Sequence, residues 1–209
     1  HGGDPIIGNS LHGRNAAQIA AHRGRADILQ ELAARNIDPH FGSIDAFIAA
    51  CAFADLQKAE AILSEAPELR QVLIVHGGNL LAPFAGIGNT EGVGCLLDLG
   101  VPVDALYHGD GYFDIAPNST ALHVAAWRAR PATVKLLIER GAPVNALDGK
   151  GRTALQLAVR ACVDSYWKNR RTPESIQALL DAGATTVGIE LPTGYAEADE
   201  LLAAHLSTH

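Results

Sequence analysis

The chain has 209 residues, enough for one compact domain or a short solenoid, and its net charge is −7 with no strongly basic block. That balance argues against a nucleic-acid backbone as partner, and no apolar run is long enough to span a bilayer. Hydrophobic residues make up 48% and aromatics only 5%, so the core must be built mainly from Ala and Leu, which suits closely packed helices because these side chains lose little freedom on entering one.

Cys51, Cys95 and Cys162 are odd in number and lack Cys-x-x-Cys spacing. Buried reduced thiols in a reducing, cytoplasmic compartment are expected rather than a disulfide framework or a zinc site. The opening His-Gly-Gly-Asp-Pro has no charged segment followed by an apolar stretch, so no signal peptide is expected. Met is absent, from which the chain is expected to be a fragment or a processed form.

Residues 13–39 form the first predicted unit: two helical segments parted by a turn at Gly24, the second closed at Asn36 by a left-handed cap. Residues 43–69 repeat it more loosely, with Ala59, Ile62 and Leu63 as the apolar stripe, Ala54 at the inner turn and Ala66-Pro67 at the close. In residues 77–105, Gly88-Asn89 makes the inner turn, and Pro83 lies inside the first helix, where it should kink or shorten it. Residues 106–117, Leu106-Tyr-His-Gly-Asp-Gly-Tyr-Phe-Asp-Ile-Ala-Pro, are additional. Gly100 to Gly141 is 41 residues, against the 33 that separate Thr120 from Thr153. The unit at 118–147 is followed by another at 151–187, and a 33-residue period means one supersecondary unit stacked on copies of itself. The latter carries a nine-residue insertion within Val163 to Glu174, after which Thr172-Pro173-Glu174 restarts a helix. Residues 193–206 read as a single acidic helix suited to cap a solenoid end.

Thr120-Ala-Leu-His-Val-Ala-Ala, the stripe of Val134, Leu136 and Leu137, and Gly141-Ala-Pro-Val-Asn together resemble the ankyrin repeat. Its hallmark is Thr-Pro-Leu-His-x-Ala-Ala, an apolar Val and Leu-Leu stripe, and Gly-Ala-x-Val-Asn. The likeness extends over about residues 13–187, although Ala121 and Ala154 stand where the family has Pro. It implies an all-α fold: a single ankyrin-repeat solenoid over 1–209, of paired antiparallel helices joined by β-hairpin-like loops, with a C-terminal capping helix. It also implies that Thr120 and His123 tie a helix start to neighbouring repeats, with Thr153 and Gln156 as their counterparts. Asp45 and Ile48 replace the pair in the second unit, where that network is expected to be broken.

The family recognises partners through its hairpins and the concave groove lined by its first helices. The resemblance therefore points to Tyr107, His108, Asp110, Tyr112 and Phe113 on the long hairpin, and to Trp127, Arg128 and Arg160 in the groove. The groove equivalents in other units are His22 and Arg23, Ala52 and Phe53, and Ile87 and Gly88. Two alternatives stay open: the hairpin aromatics cover their own loop, and Trp127 packs on the adjacent repeat. Tyr166, Trp167, Arg170 and Arg171 form a second aromatic and basic surface, expected on the outer part of the solenoid. His108, Asp110 and Asp114 match no metal-ligand spacing, and no catalytic or phosphate-binding motif is present. The expected function is non-catalytic binding to another protein, without metal or cofactor. The alternatives are an enzyme or small-molecule binder with a site between the 106–117 hairpin and His76, Trp127 and Arg128, and a structural segment of a longer ankyrin protein.

Overall fold

The computed structural model describes residues 14–164 and 169–208. In chain order the helices are α1 (Ala16–His22), α2 (Ala26–Ala34), α3 (Ser43–Ala52), α4 (Leu56–Glu65), α5 (Leu69–His76), α6 (Gly78–Ile87), α7 (Thr90–Asp98), α8 (Ala121–Trp127), α9 (Pro131–Glu139), α10 (Ala154–Val163), α11 (Glu174–Asp181) and α12 (Ala196–Thr208). Helices this short are unstable alone in water, so packing must hold them. Each of the pairs α1–α2, α3–α4, α6–α7 and α8–α9 turns through one left-handed residue: Gly24, Ala54, Gly88 and Ala129. Ala54 and Ala129 adopt φ +55 and +50, where an alanine costs roughly 1–2 kcal/mol. Packing of the pair on either side offsets that strain.

The two helices of a pair differ in how they are buried. Every residue of α8 is buried, and α3 and α10 each bury seven of ten. By contrast, α9 buries only Thr133, Val134 and Leu137. The first helices form an inner layer in which α1 packs on α3, α6 on α8 and α8 on α10; α7, α9 and α11 form an outer layer. Their shared core includes Phe47, Leu63, Phe84, Leu96, Leu137 and Leu155, all fully buried. The stack is less regular around α3, which meets α7. There the Gly24 turn lies against Phe84, so closely that a Cβ at Gly24 would fall 2.7 Å from the ring. The side chain of Asn89 fastens the same region. It donates to the carbonyls of Gly24 and Ala52, both at 2.8 Å, while accepting from the Gly92 amide at the start of α7.

Three inner helices start with the same reciprocal cap: Asn15 with Gln18, Thr120 with His123, and Thr153 with Gln156. In each, the far nitrogen of the second residue reaches onward along the stack. Gln18 Nε2 donates to Asp45 Oδ2 at 2.9 Å, and Gln156 Nε2 to the Val187 carbonyl at 3.0 Å. His123 accepts the Thr120 amide at Nδ1, so Nε2 carries the proton toward the carbonyls of Ala146 and Arg152 at 3.0 and 3.1 Å. The second unit corrects one expectation. Asp45 does not break the network but receives it, accepting from Gln18 and lying 2.9 Å from His22 Nε2, while Ile48 joins the core.

Pro83 lies inside α6, which runs from Gly78 to Ile87 around it and is not shortened. The Cys95 thiol, remote in sequence, lies beside that of Cys51, and its proximity together with burial pushes Cys51 up. All three cysteines are buried and free. At the end of the stack, α12 packs on α11 and buries Ala198 and Leu202. Its first turn holds Glu197 and Asp199, favourable at a helix N-terminus, and Asp199 accepts the Thr193 amide at 2.7 Å.

Candidate functional site, a groove under a latched hairpin

The 106–117 segment is a hairpin. Antiparallel bridges join Tyr107 to Ser119 and Asp110 to Ile115, and Gly111–Phe113 makes one 3-10 turn at the tip. Gly78, the first residue of α6, sets its root: a Cβ there would lie 2.3 Å from the Leu106 carbonyl oxygen. The Asp110 carboxylate accepts the Tyr112 amide at 3.1 Å and so shapes the tip. Asp114 then turns the chain back with φ +55.

Two fastenings pull this hairpin down onto the inner helices. Trp127 Nε1 donates to the Phe113 carbonyl at 2.7 Å, and Asp114 is gripped by three cations. Lys150 reaches one carboxylate oxygen, while Arg160 Nη1 at 2.6 Å and Arg152 Nη1 at 3.3 Å reach the other. Arg152 is itself held by Asp148 at 2.8 Å. The Lys150 bond, followed by those of the arginines, holds the Asp114 carboxyl down at about 2. Beneath the hairpin, Tyr107, Ile115, Val124, Trp127 and Leu157 form a small apolar cluster, with Phe113 packed on it. Arg128 stacks over the Phe113 ring at 4.4 Å and Arg160 over the Trp127 ring at 4.9 Å.

The sequence-derived candidates thus separate by position. Tyr107 and Trp127 are buried and support the hairpin from below. Phe113, Asp110 and Arg128 are half-buried, and His108 and Arg160 are exposed. Tyr112 stands out at 90% exposed, its ring edge-on to Phe113. His108 anchors the near strand, with its amide donating to Asn79 Oδ1 at 3.2 Å and its Nδ1 2.7 Å from the same atom. His76 ends α5 and is not part of the groove wall. Tyr166 and Trp167 lie outside the described residues. Arg170 and Arg171 are exposed, and Arg171 Nη2 reaches the Val163 carbonyl at 3.4 Å. The charge of Arg170 helps lower both Arg128 and Arg130.

Between the hairpin and the inner helices α1, α6 and α8 lies a cavity of about 420 Å³. Arg14, His22, Arg23, Tyr107, His108 and Arg128 are among its lining residues. Burial, then the charges of Arg170 and Arg23, lower Arg128; burial, Arg170 and Arg128 bring Arg130 down to about 10. Burial and the nearby Asp110 raise the Tyr107 phenol. Sequence reasoning reached His22 and Arg23 by matching units, but it missed Arg14 and the roles of Lys150 and Arg152. No local pattern marks Lys150 and Arg152, because their partner, Asp114, lies in an insertion with no counterpart in the other units. Among the described residues, no group of three His, Cys, Asp or Glu side chains is placed to hold a metal ion. None of their helices is long and apolar enough to cross a membrane.

Comparison with known proteins defines the class of this architecture. Residues 96–158 match the family model for ankyrin repeats in many copies. The whole arrangement is similar to the crystal structure of an ankyrin repeat domain from Acinetobacter baumannii AYE, with 19% sequence identity and a TM-score of 0.53 over 90% of this chain and 96% of that one. The resemblance first carried by Thr120–Asn145 therefore holds for the fold, an all-α ankyrin-repeat solenoid. Ankyrin repeats are in general protein–protein interaction modules, and the fold is in general non-catalytic.

Proposed function

We propose that this chain is a non-catalytic binding module that holds a partner protein through the concave groove and the 106–117 hairpin. One observation carries the reading: Tyr112 is 90% exposed on a hairpin that is fixed beneath it by the Trp127–Phe113 bond and the Asp114 cluster. An exposed aromatic on a pre-ordered support is what an interface anchor requires, because little freedom remains to be lost on binding. In this reading His108, Asp110, Arg128 and Arg160 supply polar contacts to the partner, with Arg170 as a further one. Tyr107, Phe113 and Trp127 act from underneath.

In the same reading the chain is one ankyrin-repeat domain working in the cytoplasm, which its three buried free thiols favour. The alternative of a small-molecule site draws on the cavity, whose volume lies within the common range for such sites.

The test is affinity capture from the source cell with wild type and Tyr112→Ser. Partner recovery should fall while the thermal midpoint stays unchanged, because Tyr112 buries almost nothing. Phe113→Ser should lower both, since its ring supports Arg128 and Tyr112. Undiminished capture by the Tyr112 variant would count against the hairpin as the contact point.

A further inference from the structure

Three polar groups of the cavity wall keep bonding capacity that no described residue takes up. Tyr107 is only 9% exposed and lines the cavity, yet its hydroxyl has no hydrogen-bond partner among the described residues. Arg23, the residue that closes α1, is exposed and forms no ion pair. Asp110, on the hairpin, gives one carboxylate oxygen to the Tyr112 amide and keeps the other. Arg23 and Asp110 line the same hollow from different walls and do not pair with each other. Burial, then Asp110, raise the Tyr107 phenol, and Arg23 is among the charges that oppose them. The hydroxyl therefore keeps its proton and sits within the fields of both.

Much of the remaining wall is apolar. Pro83 and Ile87 stand one turn apart on α6, and with Ile19 of α1 they are half-buried. Val124 and Ile115 add buried apolar surface. Gly86 keeps the floor open, since a Cβ there would lie 3.0 Å from Val124 Cγ1.

We propose that this cavity is a site for a small zwitterion with an apolar side chain, a free α-amino acid. Arg23 and the Tyr107 hydroxyl take its carboxylate, Asp110 its ammonium, and Ile19, Pro83 and Ile87 its side chain. Two opposite charges too far apart to meet are bridged by a ligand that carries both, through charge-assisted hydrogen bonds. A buried hydroxyl gains from the partner such a ligand brings. The charge of −7 on the chain opposes an anion but not a neutral zwitterion. The volume of about 420 Å³ lies within the range of small-molecule sites. The inference goes beyond the protein-binding reading and does not rest on it. Tyr112 is not among the lining residues, and only Asp110 serves both.

The test is isothermal titration of the full chain with L-leucine and L-phenylalanine. At least one should bind. L-leucinamide, which lacks the carboxylate, and isocaproate, which lacks the ammonium, should bind at least about tenfold more weakly than leucine or not at all. Tyr107→Phe removes only the hydroxyl, Arg23→Ala only an exposed side chain, and Asp110→Asn keeps the acceptor for the Tyr112 amide. Each should hold the thermal midpoint while weakening amino-acid binding at least about tenfold, and Arg35→Ala, at the end of α2, should leave binding unchanged. No heat from either amino acid at millimolar concentration, equal binding of leucine and leucinamide, or undiminished binding by Tyr107→Phe or Arg23→Ala would each overturn the inference. A chain that captures a partner through Tyr112 but binds neither amino acid sinks this inference alone. Amino-acid binding that needs Tyr107 and Arg23, beside capture indifferent to Tyr112→Ser, supports it and sinks the protein-binding reading instead.

Discussion

From α8 to α11 the stack repeats one solution, whereas from α1 to α7 neighbouring units are joined by single-use contacts. In the later part the Thr–His and Thr–Gln caps send the same far nitrogen to the next hairpin, and α8 lies fully buried between α6 and α10. In the earlier part, Asp45 takes the role of acceptor. There α5 fills an extra connection, and Asn89 bridges the carbonyls of Gly24 and Ala52 while capping α7. The family match over residues 96–158 lies mainly in the repeating part. The contrast teaches that departure from a repeat signature need not leave backbone groups unsatisfied. It moves the task onto one residue, and so concentrates the cost of losing it.

The largest expected effect comes from the repeating part. Leu137→Ala should destabilise by about 2–5 kcal/mol, because the side chain is fully buried; Leu136, only half-buried, should cost clearly less. Urea unfolding of both variants checks this, and equal small losses would undo the two-layer packing described here. Next, Asn89→Ala should cost about 1–3 kcal/mol, since it strips two carbonyls and a helix cap of their partner at once. Asn145→Ala removes exposed bonds to Gly183 and Thr185 and should cost below about 1 kcal/mol. If the two asparagines prove equal, the contrast between the parts of the stack fails.

A smaller effect is pH-dependent. Burial lowers the pKa of His123 from 6.5, so the folded imidazole stays neutral while the unfolded one takes up a proton. Its contribution is full above that value and is lost as pH falls below it. His123→Gln, which copies the caps of Gln18 and Gln156, should flatten the change in unfolding midpoint between about pH 7 and pH 5. An unchanged slope would mean that His123 does not govern it. The smallest global effect belongs to the hairpin. Asp114→Asn should change stability by less than about 1 kcal/mol, as partly exposed ion pairs do, yet speed hydrogen exchange at residues 110–115. Because the Asp114 pKa is lowered from 3.8 to about 2, wild type should loosen there in the same way as pH falls from about 4 toward 2. Exchange that is insensitive to both changes would show that Trp127 alone holds the hairpin.

Most of the fold was legible from Thr120, Ala125, Leu137 and Gly141 and their counterparts, because caps, left-handed turns and apolar stripes are short-range requirements that recur with the period. The candidate site was legible only in outline. Tyr112 and Arg128 could be named from the insertion and from unit matching, but whether the neighbouring aromatics face out or fold under could not. Trp127 and Tyr112 are both large and aromatic, and only packing separates a supporting ring from an exposed one.

By itself the sequence determined the helix pairs, their turns and the eight- and nine-residue departures, since backbone sterics and hydrophobic spacing act within a unit. Only the tertiary structure decided that Cys51 meets Cys95, that Asp114 is gripped by Lys150, Arg152 and Arg160, and that Arg14, Arg23 and Arg128 line one cavity. Electrostatic and sulfur contacts of that kind depend on distances between units, and those follow from how the helices stack rather than from any spacing along the chain.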